Sequence, residues 1–231
     1  MNLNPAFYSR KPMSLVSAKL APNRTARRRR VVAAIGSGRI ADPHCGDVGR
    51  MIATLGFDLL TGAGGGVMEA VSRAFFETAP RDGIVIGIVP ATVTPLGALE
   101  RREPSTVDYR PPPGYPNEWV ELAIYTHLPD TGPDGALRSS RNHINVLSAD
   151  VVVAMPGQEG TEAEVWLATQ YGVPVIAYGS YADPGHEGVL APAGVPRGRT
   201  IDDVRDFLML HLVREPLDSA RHAAEQRGHL R

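Results

Sequence analysis

At 231 residues, with 43% hydrophobic and 21% charged side chains, the chain can bury one sizeable core and reads as a single domain between two tails. The formal charge of −1 is unevenly spread: residues 1–30 hold eight of the 24 basic residues and no acid, leaving 16 basic against 25 acidic groups, a balance that argues against sequence-independent nucleic-acid binding. Lys11 and Lys19 are the only lysines, which removes Schiff-base chemistry and a Walker-type phosphate loop from the folded body, and Cys45 alone makes no internal disulfide or multi-thiolate metal site.

Residues 1–30 lack apolar periodicity and contain Pro5, Pro12 and Pro22. A basic tail is expected there, with an organelle transit peptide as the alternative. No apolar run approaches the roughly 20 residues that span a bilayer, so a cytoplasmic protein with no membrane partner is expected. The body then opens with a buried strand over 31–35 and the small-residue turn Gly36-Ser37-Gly38. Val48, Met51, Ile52 and Leu55 mark an amphipathic helix that stops at Gly56, and 57–61 is a second strand.

Next comes Gly62-Ala63-Gly64-Gly65-Gly66-Val67-Met68-Glu69-Ala70, leading into a helix with Val67, Val71, Ala74 and Phe75 on one face. Glycines between a strand and a helix suit either a phosphate brought close to backbone N–H groups or a tight turn without a ligand. Their spacing is not that of a dinucleotide fingerprint. A third strand covers 84–89. Pro-rich residues 91–118 form a long excursion, a candidate lid, before a fourth strand at 119–125. After a loop to Ser140, residues 142–147 suit a short helix.

Strand 151–155 follows, then Pro156-Gly157-Gln158-Glu159-Gly160 and a helix beginning near Thr161. On its own, Thr161-x-x-Glu164 is a capping box that satisfies free N–H groups at a helix start. Residues 173–178 make another strand, and Ile201, Val204, Phe207, Leu208 and Leu212 a last helix beginning at Asp202-Asp203. Strands alternating with helices imply a mainly parallel, doubly wound α/β sheet with helices on both faces, over residues 31–213, with a polar tail at 214–231. His127, His143 and His186 lack metal-ligand spacing, and no metal site is expected. Tyr109, Tyr115 and Trp119 suit either base stacking or packing.

Residues 156–164, PGQEGTEAE, resemble the PGGxGTxxE motif of the Lonely Guy (LOG) family, once labelled lysine decarboxylases. Arg141 stands where that family places an arginine, and residues 62–73 are similar to its GGGPGIMEAANR stretch. The resemblance implies a Rossmann-like fold, a homodimer or higher homo-oligomer, and hydrolysis of the N-glycosidic bond of a nucleoside 5′-monophosphate to free base and ribose 5-phosphate, with no metal or redox cofactor required. It implies Arg141 and Glu164 as the catalytic pair. It also implies a ligand and phosphate site formed by Gly36, Ser37, Gly62, Gly64, Gly65, Gly66, Met68 and Glu69 together with Pro156, Gly157, Gln158, Glu159, Gly160 and Thr161. Two positions depart from the family: Gln158 replaces a glycine and Asn142 a lysine. Residues 141–152, RNHINVLSADVV, also resemble the molybdenum cofactor carrier proteins, which share the fold and bind a phosphorylated pterin without transforming it. A carrier with molybdenum cofactor as ligand is therefore the alternative.

Overall fold

The computed structural model describes residues 28–92, 110–182 and 194–213. The expected tails up to residue 27 and from 214, most of the excursion at 91–118 including Tyr109, and His186 lie outside these residues.

Six strands form one parallel sheet: β1 (Val31–Ile35), β2 (Asp58–Thr61), β3 (Val85–Val89), β4 (Leu122–Tyr125), β5 (Val151–Ala154) and β6 (Val175–Ala177). The order is β4-β3-β2-β1-β5-β6. Val32, Ala33, Ala34 and Ile35 of β1 are all buried, which suits a central strand covered on both faces. Their side chains alternate. Val32 and Ala34 pack with Val48 and Ile52 of α1 (Cys45–Thr54), Val71 and Phe75 of α2 (Val67–Phe76), and Leu208 of α5 (Ile201–Leu212). Ala33 and Ile35 pack on the other face with Val146 of α3 (Asn142–Ser148) and with Val165 and Ala168 of α4 (Glu159–Tyr171). Each fully buried aliphatic side chain of this size contributes about 1.5–3 kcal/mol relative to exposure.

Two carboxylates tie the amino-terminal edge of the sheet. Asp150 accepts the Val31 N–H at 2.9 Å and pairs with Arg28 and Arg30. Asp58 pairs with Arg29 at 2.9 Å and accepts the Ile84 N–H at 3.0 Å. The arginines at 28–30 thus belong to the folded body, although charge alone assigns them to the tail.

From β1 the chain steps outward through β2, β3 and β4, then returns so that β5 pairs with the other side of β1, Val32 against Val151. This is a switch point, where the loops leaving β1 and β5 diverge and open a crevice beyond the carboxyl ends of the strands.

Candidate functional site

Three loops meet at that crevice, and Ser37 ties them together. Its N–H donates to Pro156 O after β5 at 2.9 Å, and its carbonyl accepts the Val67 N–H at the head of α2 at 2.9 Å. Its hydroxyl oxygen accepts the N–H groups of Arg39 and Ile40 at 3.2 and 3.1 Å. With amide and carbonyl both committed, Ser37 retains only its hydroxyl proton for a ligand. Gly66, at φ 62°, lies so close to this tie that a Cβ there would overlap Ser37 O, so this glycine is required by protein packing.

Arg141 precedes α3 and is 4% exposed. A Cβ at Gly62 would overlap its guanidinium, so the glycine after β2 is what lets the arginine reach the crevice. The guanidinium carbon lies 5.8 Å from the centre of the Tyr115 ring. Nε and Nη1 are buried without a hydrogen-bond partner. Donors of a buried cation left bare are costly, and an oxyanion answers them with charge-assisted hydrogen bonds.

Helix α4 begins at Glu159, with extended Gln158 as its cap residue and no side-chain cap. Thr161 is thus already inside the helix, its N–H donating to Gln158 O at 2.8 Å. The capping box expected from Thr161 and Glu164 is therefore absent, and one forms instead between Thr200 and Asp203 at the head of α5. Glu164, 8% exposed, accepts a hydrogen bond from Asn145 Nδ2 at 2.9 Å. Burial pushes its carboxyl above the ordinary glutamate range, against the opposing pull of the Arg141 charge and the Asn145 hydrogen bond.

Around these groups lies a cavity of about 400 Å³, within the range of small-ligand sites. Of the residues expected from sequence, Gly36, Ser37, Gly62 and Met68 line it from the β1 and β2 side, facing Arg141. Gln158, Glu159, Gly160, Thr161 and Glu164 line it from α4. Gly65 and Glu69 instead line an adjoining groove that shares Gly38 and Tyr115 with the cavity. Gly64, Gly66, Pro156 and Gly157 line neither, and Gly64 O is taken by Asn117 Nδ2 at 2.8 Å. Within the glycine loop after β2, Gly62 lets Arg141 approach and Gly66 lets Ser37 approach.

Sequence reasoning missed several lining groups. Arg39 follows directly on the Gly36-Ser37-Gly38 turn, which was a usable signal, whereas Thr131, Gly132 and Pro133 carried none. Tyr115 lines the cavity, but Trp119 packs on Phe76, their ring centres 5.6 Å apart. His143 is a structural tie, its nitrogens 2.6 Å from Tyr171 OH and 2.9 Å from Leu137 O. Among the described residues no group of three His, Cys, Asp or Glu side chains is placed to hold a metal ion, and no helix is long and apolar enough to cross a membrane.

Residues 29–195 match the SLOG cluster4 family. The chain belongs to this family. Its place there agrees with the resemblance to LOG proteins, since the SLOG superfamily includes LOG-like members. No match is found among curated proteins. Among solved structures, the SLOG cluster4 chain is similar to the molybdenum cofactor binding protein of the phototrophic bacterium Rippkaea orientalis. Identity is 27% and the TM-score 0.56, over 82% of this chain and 100% of that one. The molybdenum cofactor carrier protein of Chlamydomonas reinhardtii matches at 23% identity and TM-score 0.54, over 81% and 100%. DNA processing protein A of Helicobacter pylori, described by its single-stranded DNA binding mode, matches at 18% and 0.51, over 78% and 80%. The last two likenesses concern the fold.

Proposed function

We propose that the protein binds a phosphorylated heterocyclic ligand in this cavity, with an anionic group of the ligand against Arg141. The observation that carries the reading is the buried guanidinium whose Nε and Nη1 have no partner. The N–H groups of Glu159 and Gly160, ahead of those that Gln158 O accepts at the start of α4, lack intrahelical acceptors and add donors at the same wall. The first reading is binding without turnover, as a carrier of a phosphorylated pterin of the molybdenum cofactor type. The protein from Rippkaea orientalis, described as binding that cofactor, supports it.

The second reading is hydrolysis of a nucleoside 5′-monophosphate, and one observation favours it: Arg141 and Glu164 line the same cavity. In that chemistry water adds to the anomeric carbon, the N-glycosidic bond breaks with its electron pair passing to the base, and the base leaves protonated. An ionised Glu164 would stabilise the oxocarbenium-like transition state or orient the water, with Arg141 on the phosphate. The departures from the LOG motif stand at the site, since Asn142 and Gln158 both line the cavity.

Native mass spectrometry of the purified protein, followed by a nucleotide panel, separates these readings. Carriage predicts a phosphorylated pterin at about one per subunit and no free base released from any nucleotide. Hydrolysis predicts free base, lost in Glu164→Gln with binding retained. A single-stranded DNA oligonucleotide is expected not to compete with the ligand. If neither pterin nor any nucleotide binds the wild-type protein, the proposal fails.

A further inference from the structure

Asn145 stands one helical turn beyond Arg141 in α3, and the i, i+4 spacing puts both on the side that meets Glu164. It is 1% exposed and sits within a helix pair that buries Val146 of α3 with Val165 and Ala168 of α4. An amide in such a place is costly unless bonded, and only half of this one is: Nδ2 donates to Glu164 Oε1, while Oδ1 is buried without a partner. A leucine of the same shape would fill the space without leaving an acceptor bare. The amide is therefore explained by the carboxylate it faces.

We propose that Asn145 is a positioning residue for Glu164: it pins Oε1, fixes the carboxylate plane, and leaves Oε2 as the acceptor for a ligand hydroxyl or ring N–H. The inference rests on the reading of the cavity as the ligand site. Among the described residues Glu164 takes no other hydrogen bond. Oε1 accepts from Nδ2 whether the carboxyl is ionised or carries its proton on Oε2, and the charged form takes the stronger hydrogen bond. The charged and titratable groups around the cavity are Arg141 beside α3, Arg39 in the loop after β1, Tyr115, and Glu159 on α4 itself. Of these, Arg141 acts on Glu164 in the same direction as Asn145.

Isotope-edited infrared spectroscopy of the full-length, ligand-free protein tests this, with the Glu164 band assigned from the Glu164→Gln difference. The titration midpoint of Glu164 is expected to rise in Asn145→Leu by about one to two pH units, a ten- to hundredfold change in proton affinity, because a donor to the charged form is lost. Asn145→Gln, which keeps the donor, is expected to restore most of the shift. A folded leucine variant that titrates at the wild-type midpoint overturns the proposal. Should that variant not fold, NMR of the wild-type Asn145 side-chain amide takes its place: resonances that move with the Glu164 midpoint support the proposal, and resonances that do not move overturn it. These measurements need no ligand, so a cavity that binds nothing would sink the ligand reading and leave this result standing.

Discussion

At the scale of single residues, the role proposed for Arg141 sets stability against recognition. A buried guanidinium with two bare donor atoms destabilises the free protein, and an apolar side chain of similar length removes that burden. Arg141→Met is therefore expected to match or exceed wild type in thermal midpoint without ligand, while the Kd for the ligand rises about ten- to hundredfold. A clear fall in midpoint would show that the arginine is held by protein contacts after all. Glu164 makes a prediction in pH. Burial raises its carboxyl in the folded state, so the native protein holds that proton more tightly than the unfolded chain does. Its contribution is best below the ordinary glutamate pKa of about 4.3 and is lost as pH climbs toward the elevated folded value. Urea midpoints of wild type should thus fall relative to Glu164→Gln over that interval, and parallel profiles would contradict the assignment. Arg141 and Glu164 were legible from their place in a motif. Asn145 was not, because its role depends on a contact between two helices that no single stretch of sequence displays.

Among the elements, helix starts show where pattern reading works and where it fails. Thr161-x-x-Glu164 and Thr200-x-x-Asp203 carry the same kind of signal, but only the second is a capping box. At α4 the chain leaves β5 through Met155, Pro156 and Gly157 and becomes helical two residues before Thr161, which places Glu164 against α3. Thr200→Ala is expected to cost about 1 kcal/mol in chemical denaturation as the cap is lost. Thr161→Ala, measured by circular dichroism of the isolated helix content, should leave α4 unfrayed. Fraying there would restore the capping role. The strands were read well, β1 at the same residues and the others within a few, because apolar runs bounded by Gly and Pro depend on local sequence. The glycine loop after β2 was read as either a phosphate cradle or a tight turn, and what no local pattern displays is that Gly62 and Gly66 make room for Arg141 and Ser37, partners distant in sequence.

For the whole molecule, alternation of strands and helices implied a parallel sheet, whereas the order of strands was not legible, since pairing of β1 with β5 brings together residues far apart in the chain. That pairing creates the crevice. The sheet also leaves apolar side chains in the open: Leu122 and Ile124 of β4, paired in register with Ile86 and Ile88, are 46% and 42% exposed. A homo-oligomer, implied by the LOG resemblance, has a suitable face there. Sedimentation should show a dimer or larger species, reduced in size by Ile124→Lys, and a monomeric wild type would contradict it. The central claim is that the crevice at the switch point holds a phosphorylated ligand through Arg141. Native mass spectrometry of the full-length protein beside Arg141→Ala tests it most directly: a phosphorylated ligand near one per subunit in wild type and absent from the variant is the predicted result, and equal ligand in both would contradict it.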